Sequence, residues 1–336
     1  MGRDFEPVGV SIGAGIGRCS NQCRYCQLAY KKPANFSVSR YAAVVDKFLD
    51  YKAKTGFDVR QWLGYSYDFG ADDFGLFAAL HRRVFDCDLK VLLLGGLPLM
   101  TGEQLAGWFS QRRNLGSESV IASFYGSDVN HDYLSSRKGH FDWLISAQNV
   151  AARLGLKNYQ KIFLTKPVLP YVNEMLDRLE EVDSVSGRFA YLLFYRGLGR
   201  RFEDQRLTME MLESQPERLK AMYREENTKW RSEKDWLEWE RVNPEASVRG
   251  HLSLILTDRN IGLMEKMSCE EIVSDLTVRT KAAYHAVPGR AELAEKYGDR
   301  SNEKVYMLMR DMECLWADRF LKANPNITVD RNLTHF

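Results

Sequence analysis

Several features that mark special classes of protein are missing from this sequence. The longest apolar run, Val91 to Met100, is far shorter than the ~20 residues that cross a bilayer. The first residues, Met1 to Pro7, are charged and lack the apolar core of a signal peptide. Nine prolines among 336 residues, with no low-complexity tract, argue against collagen-like and disordered chains. These absences predict a folded, cytoplasmic protein without a membrane partner.

An excess of charge of one sign is also lacking. Lys and Arg number 47 against 45 Asp and Glu, a formal net charge of +2, so charge gives no reason to expect a nucleic-acid partner. Three tryptophans lie among seven basic residues between Glu217 and Arg241, but seven acids in the same stretch cancel that charge. We therefore predict no nucleic-acid partner, and we interpret this stretch as a solvated helix whose aromatics pack on the rest of the chain.

Cysteine is scarce, with six residues in the whole chain. In a reducing compartment such cysteines are metal ligands, catalytic thiols or core residues more often than disulfides. A chain of this length buries about three quarters of its unfolded surface and needs no covalent staple. Disulfide-scaffold classes are therefore excluded.

The chain is long enough for about two domains or for one α/β barrel. Its first 195 residues alternate apolar runs with helix-like segments at spacings of about 30–40 residues, which predicts βαβ units and a parallel sheet. The predicted strands are Pro7–Ile12, Val59–Tyr65, Leu89–Leu94, Ser119–Phe124, Lys161–Thr165 and Phe189–Tyr195. The rest is mainly helical. We predict one α/β domain over residues 1–201 and a helical region over 202–336 packed on it.

The most specific motif is a cysteine triad, Cys19, Cys23 and Cys26, spaced CxxxCxxC. Three thiolates within eight residues can converge on one metal centre if they lie in a loop, and the nearby glycines favour a loop. Zinc normally takes a fourth protein ligand, and a cubane iron–sulfur cluster ordinarily takes four cysteines. A set of three would leave one iron open to a small-molecule ligand.

The triad, with the aromatic Tyr25 just before its last cysteine, resembles the signature of the radical S-adenosylmethionine (radical SAM) superfamily, and in particular the core of its SPASM/twitch group. The resemblance covers roughly Pro7 to Arg201. It implies an α/β fold, a partial (β/α)6 TIM-like barrel with a mainly helical C-terminal extension. It also implies one 4Fe–4S cluster on the three cysteines and a molecule of S-adenosylmethionine. The C-terminal region lacks the cysteines that such relatives use for auxiliary clusters, so we predict a single cluster.

The same resemblance implies further cofactor-binding residues. Where the family has Gly-Gly-Glu after the second strand, this chain has Gly64, Tyr65, Ser66 and Asp68, so the place matches but the chemistry does not. Ser123 ends the fourth predicted strand and takes the role of a cofactor ligand. Two further features have an open interpretation. His131 and Asp132 either serve the site or cap the following loop. Arg196, with Arg200 and Arg201, either clamps an anion at the end of the sixth strand or forms an exposed turn.

The resemblance implies an enzyme that reductively cleaves S-adenosylmethionine to a 5′-deoxyadenosyl radical. That radical would abstract hydrogen from an unactivated carbon of a small-molecule or peptide substrate in specialised metabolism. An electron donor such as flavodoxin or ferredoxin is implied as a partner. Epimerisation, dehydrogenation, rearrangement and cross-linking all stay open, as does the oxidoreductase or isomerase class. The alternatives are an iron–sulfur electron carrier and a zinc-stabilised binding module; a dinucleotide-binding loop is disfavoured because no helix follows the glycines directly.

Of the remaining cysteines, Cys269 has a specific interpretation. Ser268 and Glu271 fit a capping box, which places Cys269 in the first turn of a helix. An epimerase needs a hydrogen-atom donor, and Cys269 is the candidate for that catalytic role, although the position favours a packed structural cysteine. Cys314 lies among apolar residues and fits a core position, and Cys87 has no assigned role.

Overall fold

The computed structural model describes residues 4–17, 19–28, 33–63, 68–223, 230–244, 248–331 and 333. Its strands are β1 (Phe5–Ala14), β2 (Asp58–Leu63), β3 (Val91–Leu93), β4 (Ser119–Phe124), β5 (Lys157–Leu164), β6 (Gly187–Leu192), β7 (Arg231–Ser232), β8 (Val248–Leu256) and β9 (Val305–Tyr306). Its α-helices are α1 (Val38–Thr55), α2 (Ala71–Phe85), α3 (Gly102–Asn114), α4 (Asp128–Ser135), α5 (His140–Arg153), α6 (Val172–Leu179), α7 (Met209–Glu213), α8 (Glu217–Lys220), α9 (Glu233–Val242), α10 (Ile261–Lys266), α11 (Cys269–His285), α12 (Arg290–Tyr297) and α13 (Met309–Ala323). Two 3₁₀ segments cover Leu169–Tyr171 and Gly197–Gln205.

The first six strands are parallel and lie in chain order within two sheets. One sheet has the order β3-β4-β5-β6, and β1 pairs with β2 in the other. In the described ranges, no strand pairing joins β2 to β3. The α/β class and the sequential parallel strands of a partial (β/α)6 barrel are as predicted. All six predicted strands exist, with ends shifted by a few residues.

The sheet of β1 and β2 contains a further parallel strand that was not expected. β8 comes from the C-terminal region and pairs with β1 on the side opposite β2, from Phe5↔Val248 to Ala14↔Leu256. A strand-like run at His251–Leu256 is visible in the sequence. Its partner strand is some 240 residues away, however, and no local pattern in the sequence identifies that partner. The region after residue 201 is mainly helical, as predicted, and it also contributes to the β-structure beside β1.

Local sequence signals explain where several helices begin. Thr101 caps α3 in a capping box with Gln104, and Ser268 does the same for α11 with Glu271. Gly155 follows α5 with a φ of 75°, a left-handed conformation that glycine adopts without steric cost. The charged stretch after Glu217 is not one helix. It contains the short α8, the two-residue β7 and α9, whose Trp236 is buried and donates from Nε1 to the Tyr306 carbonyl at 3.1 Å.

Within each parallel sheet the carboxyl ends of the strands lie along one edge, the edge at which barrel ligands normally bind. Outward-pointing side chains of the strands, such as Val10, Ile12 and Val120, are fully buried beneath the helices. The inward-pointing side chains are less enclosed, and Leu93 is 42% exposed. Ser123 pairs in register with Lys161 of β5, so the two lie side by side on the inward face. The inward faces of β3 and β4 are therefore partly exposed at the end where the candidate site lies.

Candidate functional site

A cavity of about 230 Å³ opens at the carboxyl ends of β3 and β4. All three cysteines of the CxxxCxxC motif line it, together with Tyr25 and Ser123. The remaining lining residues are Asn21, Gln27, Leu28, Gly95, Gly96, Tyr125 and His140. Residues from four separate parts of the chain thus meet in one cavity, and five of these residues were predicted from the sequence to belong together.

Residues 19–28, which carry the triad, form the cysteine loop. Backbone hydrogen bonds hold this loop to three different parts of the fold. Ser20 N donates to the Gly96 carbonyl after β3 at 2.8 Å, and Arg24 N donates to the Leu134 carbonyl of α4 at 2.9 Å. Leu198 N, at the end of the β6 unit, donates to the Cys26 carbonyl at 2.8 Å. The loop is therefore positioned by the segment after β3, by α4 and by the 3₁₀ segment after β6.

Gly197 makes the third of these contacts possible. Its φ is +52°, and a Cβ atom added there would lie 2.3 Å from the Gln27 carbonyl oxygen and 2.6 Å from that of Cys26. A side chain at this position would collide with backbone, which cannot swing away as a flexible side chain can. The contact of Gly197 with the cysteine loop was not predicted from the sequence.

The three thiols are half-buried and weakly bonded. Cys19 Sγ donates to the Asn21 carbonyl at 3.5 Å, and Cys26 Sγ donates to the Leu28 carbonyl at 3.3 Å. In the part of the chain that the structure describes, no group of three or more His, Cys, Asp or Glu side chains is arranged to hold a single metal ion. The thiols are nevertheless of the right chemistry and share one cavity wall, so they fit the three-cysteine side of an iron–sulfur cluster.

An aromatic stack forms one wall of the cavity. The rings of Tyr25 and Tyr125 are stacked with centroids 3.7 Å apart, and Tyr125 stacks on Phe163 of β5 at 4.6 Å. Burial, with nearby negative charge adding to it, raises the pKa of both tyrosines well above the usual range, so both stay protonated at neutral pH. Tyr25 was predicted, whereas Tyr125 was missed. Its position two residues after Ser123, on the same side of an extended strand, was the signal that would have identified it.

The other predicted cofactor ligands have mixed placements. Gly64, Tyr65 and Ser66 lie outside the described residues. Asp68 follows them but does not appear among the residues lining the cavity. Its burial raises the pKa of its carboxyl, and the positive charge of Arg112 opposes that effect. Their assignment to the cofactor stays a prediction.

Arg196 points toward the C-terminal region. Its Nε lies 3.9 Å from Asp311 of α13, and its guanidinium carbon lies 5.3 Å from the Phe194 ring centroid. Burial lowers its pKa, as does the like charge of Arg310. Arg200 pairs with Asp318 of the same helix at 2.6 Å. In this structure Arg200 pairs with one carboxylate of α13 and Arg196 lies near another, so a role for Arg196 at the cofactor stays a prediction without support from its position.

Cys269 is the first residue of α11. Its side chain is buried between α11 and α1, and its Sγ donates to the Lys47 carbonyl at 3.4 Å. Burial raises the pKa of the Cys269 thiol, which opposes thiolate formation. Among the described residues it is not part of the cavity wall. This placement is that of a structural cysteine, and its role as a hydrogen donor stays a prediction. Cys314 is a core residue, as expected, and Cys87 is exposed.

A buried polar chain connects the loop to the end of β4. Tyr125 N donates to His131 Nδ1 at 3.2 Å, His131 Nε2 lies 2.8 Å from His140 Nδ1, and His140 Nε2 lies 3.4 Å from Asn21 Nδ2. Burial lowers the pKa of His131 well below its usual value, and burial together with the charge of Arg137 lowers that of His140 to about 3. Both rings are therefore neutral at pH 7.

His131 and Asp132, whose role was left open, have different contacts in the structure. Asp132 caps α5, because its carboxylate accepts from the backbone N–H groups of Gly139, of His140 at 3.0 Å and of Phe141 at 3.1 Å. His131 is fully buried behind the cavity wall. Sequence reasoning missed His140 and Asn21, because nothing local indicates that residues 119 positions apart meet.

Many solved structures align with this chain, and three of them show the low level of similarity. The coproporphyrinogen III oxidase HemN of Escherichia coli, described as a radical SAM enzyme, is 9% identical; the alignment covers 95% of this chain and 91% of that one, with a TM-score of 0.48. The protein anSMEcpe with bound AdoMet and a peptide is 12% identical over 96% of this chain and 98% of that one, with a TM-score of 0.47. Methylornithine synthase (PylB) is 16% identical over 56% of this chain and 54% of that one, with a TM-score of 0.35.

At these identities and TM-scores the likenesses carry no weight for activity, substrate or residue roles. No protein-family model and no curated protein matches the sequence. No helix in the described ranges combines the length and the apolar character needed to cross a membrane.

Proposed function

We propose that this chain is a radical SAM enzyme whose Cys19, Cys23 and Cys26 hold three irons of one 4Fe–4S cluster. The observation that carries the proposal is that all three cysteines of the motif line one cavity at the carboxyl ends of the parallel strands, together with Ser123 and Tyr25. The motif and the strand-end position are independent features. Ligands of such folds bind at that end, and three-cysteine ligation leaves one position open for a small molecule.

When bound, the cluster and S-adenosylmethionine supply electron transfer and a carbon-centred radical, which is chemistry that no side chain provides. The residues of the chain bind, orient and exclude water. Ser123 contributes a hydroxyl at the cavity wall, and the stack of Tyr25, Tyr125 and Phe163 covers one side with apolar surface. Gly95 and Gly96 add a wall without side chains, which leaves backbone groups within reach of a ligand.

The substrate in this proposal is a small molecule or a peptide that enters the open interior beside Ser123 and Lys161. The C-terminal region selects it in this proposal, since its α13 contacts the segment after β6: Arg200 pairs with Asp318, and Arg196 lies 3.9 Å from Asp311. The electron donor is a flavodoxin or a ferredoxin. The half-buried thiols leave the loop accessible enough for an external reductant.

The test is cleavage of S-adenosylmethionine. The protein is reconstituted anaerobically with iron and sulfide and reduced with dithionite, and 5′-deoxyadenosine is measured by chromatography. We expect it to accumulate with the wild type and with Cys87→Ala, which removes an exposed cysteine away from the cavity. We expect none with Cys19→Ala.

The same experiment separates the alternatives. An electron carrier would bind and reduce its cluster but form no 5′-deoxyadenosine. A zinc-stabilised module would contain stoichiometric zinc after anaerobic purification. Either result would overturn the proposal.

A further inference from the structure

The buried histidine pair behind the cavity has a fixed hydrogen-bond direction. A backbone N–H can only donate, so the 3.2 Å contact from Tyr125 N requires His131 Nδ1 to be an acceptor without a proton. The proton of His131 must then be on Nε2. That atom lies 2.8 Å from His140 Nδ1, which must accept in turn. The proton of His140 is therefore on Nε2.

Neither ring can carry both protons without placing two hydrogen-bond donors against each other. If His131 carried both protons, its Nδ1–H would face the Tyr125 N–H, donor against donor. If His140 carried both, its Nδ1–H would face the His131 Nε2–H in the same way. The two rings are completely or nearly excluded from solvent, with 0% and 2% exposure for His131 and His140, so water does not relieve either clash.

The direction of these hydrogen bonds determines whether His140 presents a donor or an acceptor to the cavity. Its Nε2–H is a donor, and the amide nitrogen of Asn21, which lies 3.4 Å from Nε2, is also a donor. Arg137 holds the other end of that amide, because its Nη1 donates to Asn21 Oδ1 at 3.2 Å. Turning the amide would only move the conflict to Arg137. The amide of Asn21 is therefore a poor acceptor for His140, whose ring lines the same cavity as the three thiols.

We infer that His140 presents its Nε2–H as a hydrogen-bond donor to the sulfur atoms gathered in this cavity, and that Tyr125 N–H, acting through His131, fixes that donor. The inference rests on the proposed function, since the sulfurs are those of the three cysteines and the cluster they hold. An N–H donor to sulfur stabilises the more negatively charged, reduced state and so raises the reduction potential. His140 is thus a positioning and tuning residue that performs no bond-breaking step.

The ring tautomers are the first readout and do not depend on the cluster. The full-length chain, labelled with ¹⁵N-histidine, is measured by long-range ¹H–¹⁵N correlation before and after reconstitution. We expect the Nε2–H pattern for both His131 and His140. An Nδ1–H pattern for His140, or a doubly protonated ring at pH 7, would overturn the inference.

The second readout is the reduction potential of the cluster, followed by EPR during a redox titration. We expect His140→Phe to lower the potential, because it removes the donor. His140→Gln, which can place an amide N–H at a similar position, should restore most of the shift, and the exposed control His285→Phe should match the wild type. Equal potentials in the wild type and His140→Phe would contradict the donor role, as would equal losses in the Phe and Gln variants.

The outcomes also distinguish this inference from the proposed function. A chain that binds no iron disproves the proposed function, while the tautomer measurement still confirms or refutes the histidine chain. A cluster that binds, cleaves S-adenosylmethionine and has a potential insensitive to His140 leaves the proposed function standing and removes this inference.

Discussion

At the scale of single residues, the six cysteines of this chain occupy distinct environments. Cys19, Cys23 and Cys26 are half-buried on one cavity wall, Cys87 is exposed, and Cys269 and Cys314 are buried in the core. Burial raises the pKa of the two core thiols, for Cys314 to about 12. Metal ligation needs thiolates that can be formed and reached, so the triad and the core pair have different expected behaviour.

The first prediction concerns iron content. After anaerobic reconstitution we expect about four irons and four sulfides per chain, because three cysteines and one open position serve a single cubane. Changing any one triad cysteine to Ala should lower both values severely. Colorimetric iron and sulfide assays measure the effect, and Cys87→Ala is the control. Full iron content in the triple variant, or seven to eight irons in the wild type, would contradict the prediction.

The second prediction concerns Cys269. Its side chain fills space between α11 and α1, so Cys269→Ala should lower the free energy of unfolding by about 1 kcal/mol through lost apolar contact. Iron content should stay at the wild-type value, because the thiol is outside the cavity. Chemical denaturation and iron assays measure the two effects. A variant that still forms 5′-deoxyadenosine but diverts the product would instead support the hydrogen-donor role.

The roles of residues that depend on their close sequence neighbours could be predicted from the sequence. The triad, Tyr25 and the caps at Thr101 and Ser268 each depend on residues within a few positions of one another. His140, Asn21 and Asp311 depend on contacts across more than 100 positions, and spacing carries no information about such contacts. The carboxylate partners of Arg196 and Arg200 were missed for the same reason.

At the scale of elements, the cysteine loop depends on its neighbours for its shape. It forms no helix or strand of its own over residues 19–28, and its backbone is bonded to the segment after β3, to α4 and to the 3₁₀ segment after β6. A loop held in this way is sensitive to changes in elements that carry none of the ligands.

The third prediction tests that dependence with Gly197→Ala. The new Cβ would meet backbone oxygens at 2.3 and 2.6 Å, and the left-handed φ of +52° adds strain of about 1–3 kcal/mol. We expect lower stability and weaker iron retention without the loss of any ligand. The control is Gly107→Ala on the exposed side of α3, where nothing lies within 4 Å and a gain of about 0.5–1 kcal/mol is expected. Wild-type iron retention in Gly197→Ala would show that the loop is positioned otherwise.

The elements themselves were largely predicted, because hydrophobic period and caps are local. The helix α4 was missed: Asp128–Ser135 has eight residues and a weak apolar pattern between two stronger elements. The pairing of β8 with β1 was missed, because a strand's own residues do not specify which distant strand it joins.

At the scale of the whole molecule, the C-terminal region is joined to the first strands by more than the β8 ladder. His251 of β8 reaches across Gly9 of β1 and lies 2.9 Å from the carboxylate of Asp58 on β2. A Cβ on Gly9 would lie 2.6 Å from the His251 ring, so glycine leaves the room for this link. The predicted boundary at residue 201 therefore divides the sequence more clearly than it divides the sheet.

The fourth prediction is a pH dependence of stability. Burial alone would raise the pKa of Asp58, but hydrogen bonds from Lys52 and His251 outweigh it and lower the pKa to about 2. The unfolded pKa is about 3.9. A lowered folded pKa gives stability that is present above pH ~4 and is lost as the pH falls toward 2.

The measurement compares denaturation midpoints at pH 7 and pH 3. Asp58→Asn should be less stable than the wild type at pH 7, and the gap should narrow at pH 3, because the wild-type carboxylate is then losing its advantage. Because Asp58 is partly exposed, added salt should also reduce the gap. A gap that stays constant across this range would show that the link contributes nothing through charge.

The contact between Leu198 and Cys26 has a consequence for the order of events during biosynthesis. The cysteines leave the ribosome before the residue that bonds to their loop, which is synthesised about 170 positions later, a delay on the order of ten seconds or more. During that interval the thiols have no complete binding pocket and are open to oxidation. Cluster delivery would therefore succeed only after Leu198 has been made and has reached the loop, so iron loading would follow the synthesis of the β6 unit.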